Sequence, residues 1–527
     1  MTTPHRPLSA PFSFTRRRFL ATGASLATTT LCAPYLRAAS VGRGAVSGYP
    51  FTLGIASGDP APDSVVLWTR LAPRPLEPGG GMPPEPVEVT WEIADDERMT
   101  RHVHGGTALA DPEWAHAVHV EVGGLQPDRW YWYRFRVGGE ASPVGRTRTL
   151  PAVGVMPERL RFAFASCQKY EIGYYTAYEH MARESLDLIV HLGDYIYEKG
   201  DGGKAVRPHG TPEIITLDDY RRRYAVYKTD PALQAAHAMA PWIVTWDDHE
   251  LSNNYADLVP EHPERTTPEA FLRRRIAAYH AYYEHMPLRA AARPRGPALP
   301  LHRELAFGGL ARFHVLDTRQ YRSDQANGDG AKPVNDAVLD PSRTLLGRAQ
   351  REWLFRGLAD PSPAWNVMAQ QIPVARIDVK PGPEMAVSMD KWSGYEAERR
   401  ALLRHLRDAR VRNPVVLTGD VHANWANELA LDFEGSGERS VGVEFVGTSI
   451  TSDGDGADRP ANHDTLLAEN PWVKFHNTQR GYVRCDVTPE LWRTDYQVVP
   501  YVSRPGAPLT TRASFVVESG QPHLQPA

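Results

Sequence analysis

Cysteine is scarce, with 3 in 527 residues. One of these, Cys32, falls in a leader-like segment, so only Cys167 and Cys485 remain beyond it. Two thiols cannot build the disulfide framework of a stapled secreted scaffold. Long apolar runs are missing too: no stretch is both long and apolar enough to be read as a transmembrane segment. Neither sign of charge dominates, since 59 Lys and Arg meet 63 Asp and Glu for a net charge of −4. That argues against a chain-wide basic face for nucleic acid. No internal repeat is present. The 45 prolines and 42 glycines mark many turns on a rigid scaffold, not low complexity.

A hydrophobic share of 42% and a charged share of 23% are those of a soluble globular protein. The length points to two domains, one of them large. At the amino terminus, "TRRRFLATGASLATTTLCAPYLRAAS" sets Arg16 and Arg17 before Phe19-Leu20, a weakly apolar stretch and small residues. This pattern is expected of a twin-arginine export signal over residues 1–39, cut after Ala38 or Ala39. It implies the twin-arginine machinery as a partner and a periplasmic or extracellular destination. Such export moves folded proteins, which suits a chain that loads metal in the cytoplasm.

Residues 48–150 alternate like half-exposed strands, as in "SVVLWTRL", "VEVTWEIAD" and "RWYWYRFRVGG". Short strands with turn residues between them predict a small antiparallel β-sandwich of the fibronectin III kind. "LQPDRWYWYRF" has the composition of a tyrosine corner. Over residues 158–505 the pattern changes to strand–helix alternation, with apolar runs such as "LDLIVHLGD", "WIVTWDDHE" and "NPVVLTGDVH". That alternation predicts an α/β, layered αββα catalytic domain. Residues 506–527, ending "SGQPHLQPA", read as a C-terminal tail.

Four of the apolar runs end in residues with chemistry. They lead into Ser166-Cys167-Gln168, into Asp194 and Tyr197, into Asp247-Asp248-His249-Glu250, and into Asp420 and His422. Ligands of open α/β sheets bind beyond the carboxyl ends of strands. A strand-terminal Asp often only caps the next helix. Four strands presenting a thiol, carboxylates, a phenol and imidazoles at one edge, however, are what a metal site demands. Asp194 ends an apolar strand, where an unpaired carboxylate costs several kcal/mol unless something compensates it.

"GDYIY", "WDDHE" and "GDVH" resemble the blocks of the calcineurin-like metallophosphoesterases. More closely, the chain resembles the alkaline phosphatase D (PhoD-like) family, through "LGIASGDPAPDSVVLWTRL", "FAFASCQKYEIGYYTAY", "VTWDDHELSNNYA", "LDTRQYRSDQ", "KWSGYEAER", "LTGDVHANWANEL" and "FVGTSITSDG". The resemblance covers nearly everything after the leader. It implies an iron- and calcium-dependent phosphomonoesterase or phosphodiesterase with a sandwich before the catalytic domain.

Three departures from the wider superfamily are informative. D-x-H has become Ser166-Cys167, GN-H-E has become Asp247-Asp248-His249-Glu250, and GH-x-H has become Gly419-Asp420-Val421-His422. One metal site would then hold Cys167, Tyr197, His422 and Asp194, a thiolate, phenolate and imidazole set suited to Fe3+ or another transition metal. The other would be all oxygen, with Asp194 shared and Asp248 and Asp420 added, suited to Ca2+. A second calcium is implied by the resemblance alone, with Asn253, Asn254 and Gln370 as candidate ligands. For Cys167 two other readings stand open, an inert buried thiol and a disulfide to Cys485. The superfamily match gives His249 the role of protonating the leaving oxygen, while metal-activated hydroxide attacks phosphorus. Arg319 and Arg480 would grip the phosphate or be ion-paired. The expected activity is an exported alkaline phosphatase or phosphodiesterase. The alternatives are a phospholipase D-like hydrolase of the same metallo-type acting on phospholipids, and a non-catalytic secreted calcium-binding protein.

Overall fold

The computed structural model describes residues 46–200, 205–431 and 440–527. The export signal expected over 1–39 lies outside them. The apolar runs form strands of two sheets. In the larger, ten-stranded sheet, β1 (Leu160–Ala165), β2 (Leu188–Leu192) and β3 (Trp242–Thr245) lie parallel side by side at the centre. In the second, seven-stranded sheet, β4 (Ala311–Val315), β5 (Trp365–Ala369), β6 (Pro414–Thr418) and β7 (Gly442–Val446) are the parallel core. Strands buried on both faces read as largely apolar runs, and Trp242–Thr245 and Pro414–Thr418 are the clearest of them.

The sheets pack face to face. Phe162, Val190 and Ile243 of the first meet Phe313, Val367, Leu417 and Phe445 of the second in one core, with the Phe162 and Phe313 rings edge to face at 5.4 Å. Helices cover the outer faces. Leu217–Lys228, Pro231–Met239 and Pro268–His285 pack Tyr224, Leu233 and Tyr282 onto the first sheet. Gly347–Leu358 and Glu396–Asp408 pack Leu354 and Leu403 onto the second. The helix starts are written locally. Thr216 makes a capping box with Asp219, while Asp230 and Thr267 cap helices that open on a proline. The architecture is the expected layered αββα sandwich.

The amino-terminal strands form two layers. One is a separate sheet containing Val87–Ala94, His102–Ala110 and Trp130–Val137. Along Trp130–Val137 half-buried and buried residues alternate strictly. The Tyr131 hydroxyl accepts from the Gln126 amide at 2.9 Å, which is the tyrosine corner. The other layer departs from an independent sandwich. Ile55–Gly58, Val65–Arg70 and Ala117–Val122 extend the ten-stranded sheet itself, Gly58 pairing in parallel with Trp242 of β3. The supposed tail departs as well. Thr510–Glu518 is a strand of that sheet, Gln525–Pro526 pairs with it, and the Leu524 amide donates to Glu428.

Candidate metal centre

The carboxyl ends of β1, β2, β3 and β6 converge, and two glycines make the approach possible. Gly193 has φ 109°, and a Cβ there would fall 2.5 Å from the Cβ of Asp247. A Cβ on Gly419 would fall 2.6 Å from the Oγ of Ser166. The "GD" of both motifs is therefore a close-approach glycine followed by a chemical residue. Those residues are held in an uncommon backbone conformation: Cys167, Asp194, Asp420 and His422 have φ of 58°, 56°, 64° and 51°. Left-handed non-glycine residues persist only where surroundings over-determine them, and they cluster at functional sites. The bracing is visible. The Cys167 amide donates to the Gly193 carbonyl at 3.0 Å, and the Gln168 amide to that of Asp194 at 3.0 Å. The buried Glu250 carboxylate accepts from the amides of Asp194, Tyr195 and Asp247 at 3.1, 2.6 and 2.9 Å.

One cluster is the sulfur-containing set foreseen. Ligand atoms of Cys167, Asp194 and His422 lie within 4.8 Å of one another. The Tyr197 hydroxyl donates to Asp194 Oδ2 at 3.0 Å and lies 3.2 Å from His422 Nε2. Asp453 meets His422 Nδ1 at 2.7 Å, fixing the ring as a carboxylate behind a ligating histidine does. Burial, with Asp194 beside them, pushes both the Cys167 thiol and the Tyr197 phenol well up. Burial first, and then Asp248 and Asp247 against the opposing pull of His249, pushes Asp194 up. Burial works against the charged form of all three acids. A bound cation is what lets thiolate, phenolate and carboxylate coexist there, so the donor set fits one.

The second cluster differs from the expected all-oxygen set. Asp194 and Asp248 are joined by His249, not by Asp420, within 4.8 Å. Asp248 Oδ2 accepts from the Asn254 amide at 2.8 Å, while its buried Oδ1 has no hydrogen-bond partner and is free to ligate. Asp420 is instead in charge contact with Lys391, and Arg319 Nη2 lies 3.7 Å away. Arg319, fully buried, pairs with Asp247, Asp390 and Asp248, so it is ion-paired and does not grip phosphate. Arg480 is likewise structural, donating to the carbonyls of His422 at 2.7 Å and Gly454 at 2.8 Å. Gln370 spends its amide on Ile372, Thr418 and Trp392 and is no ligand. Asn253 and Asn254 sit at the edge, their side chains donating to Glu261 and Asp329. Cys167 and Cys485 are both free thiols; Cys485 packs in a strand with its sulfur 3.7 Å from Thr494 Oγ1.

His249 stacks on Tyr197 at 4.1 Å, and its Nδ1 meets Glu198 Oε2 at 2.6 Å. Burial alone would push the imidazolium down, but Glu198, Asp248 and Asp194 together hold it well above the usual histidine range. With Nδ1 engaged, Nε2 is the atom left to offer a proton. Glu198 and Asp453 escaped sequence reasoning, although Asp453 lies in a quoted motif and Glu198 directly follows one. Glu198 ends "GDYIYE", four residues after Asp194, and Asp453 follows "TSITS".

A layered αββα fold whose strand ends gather a thiol, a phenol, carboxylates and two histidines points to a phosphoester hydrolase. Comparison with known proteins narrows this. The model of the PhoD-like phosphatase matches residues 162–496, and that of the PhoD-like phosphatase N-terminal domain matches residues 37–151. Alkaline phosphatase D of Bacillus subtilis (strain 168) is 55% identical over 484 residues, covering 91% of this chain and 82% of the relative. A solved structure described as that of PhoD superposes with a TM-score of 0.89 at 55% identity, covering 91% of this chain and 92% of the other. The chain belongs to the PhoD-like phosphatase family.

Proposed function

We propose that this phosphoric ester hydrolase is an exported, metal-dependent enzyme acting on phosphate monoesters and diesters, with iron in the sulfur cluster and calcium beside it. The observation that carries the reading is the meeting of Cys167, Asp194, Tyr197 and His422 around one buried point. Soft sulfur with phenolate and imidazole favours ferric iron, and the neighbouring carboxylates favour a hard cation. Cations bound there supply charge neutralisation to the phosphoryl oxygens and a water acidic enough to act near neutrality. The protein's own groups do the rest. His249, charged through Glu198, gives its Nε2 proton to the leaving oxygen. Asp453 keeps the His422 ring in register, and Glu250 fixes the backbone of both acid-bearing loops. Arg16 and Arg17 support the export part of the reading.

Turnover of p-nitrophenyl phosphate, bis-p-nitrophenyl phosphate and phosphatidylcholine, measured alongside metal content, tests the proposal. His249→Ala is expected to lose about a hundredfold or more in kcat at unchanged metal content. Cys167→Ala is expected to lose iron and, with it, the visible charge-transfer absorption. Iron retained in full by Cys167→Ala, or normal turnover by His249→Ala, would remove the corresponding assignment.

A further inference from the structure

The second cluster is surrounded by cations that belong to the protein. Asp247, Asp248, Asp390 and Asp420 meet Arg319, Arg322 and Lys391 in one buried network, and Asp194 adds a further acid at its border. The three cations differ in how firmly they are held. Arg319 is fully enclosed, with Asp247 and Asp390 as hydrogen-bonded partners, and Arg322 is fixed on Asp390. Lys391 is the looser one. Its side chain is 19% exposed, and it touches two carboxylates, Asp420 Oδ2 and Asp390 Oδ2, the latter at 3.1 Å. The Asp420 contact is close but not aligned, so Asp420 Oδ2 carries no proper hydrogen bond. Two further buried oxygens in the network, Asp247 Oδ2 and Asp248 Oδ1, also lack any partner.

Taking the reading of an oxygen-rich cation site at Asp194 and Asp248 as its basis, we infer that Lys391 is a displaceable internal cation. It occupies Asp420 when no divalent ion is bound and withdraws onto Asp390 when one is. Lysine suits this role, being a point charge on a flexible stem, whereas a forked guanidinium would lock the carboxylate. The exchange is inexpensive because Lys391 keeps one carboxylate throughout and the divalent ion replaces the charge that Asp420 loses. Lys391 thereby sets the affinity of the site. The ion binds only the fraction of molecules in which Asp420 is released, and its apparent Kd is raised by the inverse of that fraction. The exchange also leaves the lysine amine with one carboxylate partner, Asp390, in place of two in the loaded protein.

Calcium titration by calorimetry of the iron-loaded full chain, previously dialysed against a calcium chelator, tests this. Lys391→Met is expected to bind Ca2+ about tenfold or more tightly than wild type, and Lys391→Arg no more tightly than wild type. Equal Kd for Lys391→Met and wild type would overturn the role of Lys391 while leaving the cation site standing. Absence of Ca2+ binding by both proteins would overturn the site and the inference together. If Lys391→Met does not fold, amine labelling of the wild type followed by peptide mass spectrometry decides. A changed rate of modification of Lys391 on adding Ca2+ supports the exchange, and an unchanged rate rejects it.

Discussion

Glu198 is where the chemistry of single residues is most exposed to test. It is fully buried, and receives the Asn253 amide on one oxygen and His249 Nδ1 on the other. Its work is positional, holding the imidazole charged and its Nε2 aimed. Glu198→Gln keeps the shape and removes the charge. It is expected to lower kcat about ten- to a hundredfold with KM and metal content little changed, which steady-state kinetics and elemental analysis of the same sample will show. A purely structural glutamate would instead lower Tm and leave kcat per folded molecule alone. The residues gathered at the strand ends were readable because each follows an apolar run at a motif's spacing. Glu198 was not, because nothing in "GDYIYE" says that a side chain four residues on turns back under a histidine 51 positions away. The same holds for Lys391, which reaches Asp420 only through tertiary folding.

At the level of elements, apolar runs and capping residues located the parallel strands and the long helices. Thr510–Glu518 was missed because only one half of one face is buried, so an edge strand carries little period-2 signal. The helix Leu217–Lys228 carries its own liability. Lys228 lies in its last turn, buried beneath Trp68 with its ammonium 4.2 Å from the indole. Burial lowers its pKa to about 7, against an unfolded value of about 10.4. A base depressed in the fold contributes stability that is complete above the unfolded value and lost as pH falls towards and through the folded one. Lys228→Met is therefore expected to raise stability at pH 7 by on the order of a few kcal/mol, with the gain shrinking towards pH 10. Thermal melts of both proteins at the two pH values measure this.

Across the whole molecule, the reading of a separate amino-terminal sandwich departs from the structure in one of its two layers. Alternating strands before residue 150 do form two layers, but a pairing such as Gly58 with Trp242 cannot be read from alternation. The layer containing Ile55–Gly58 and Val65–Arg70 turned out to belong to the catalytic sheet. Trp68 donates its indole N–H to the Glu284 carbonyl at 2.9 Å and Arg303 pairs with Asp59, so contacts beyond the ladder also cross the boundary. A sheet continuous through both regions is expected to melt as one unit. Residues 46–527 should give a single calorimetric transition coincident with the loss of near-ultraviolet circular dichroism. Two resolved transitions would mean that the amino-terminal layers fold independently.

The most direct measurement is anomalous diffraction at the iron edge from crystals of the purified protein. A single strong peak in bonding contact with the sulfur of Cys167, the phenol oxygen of Tyr197, the Asp194 carboxylate and the His422 imidazole is the predicted result. A map with no peak among those four side chains, from a protein that still hydrolyses phosphate esters at full rate, would contradict it.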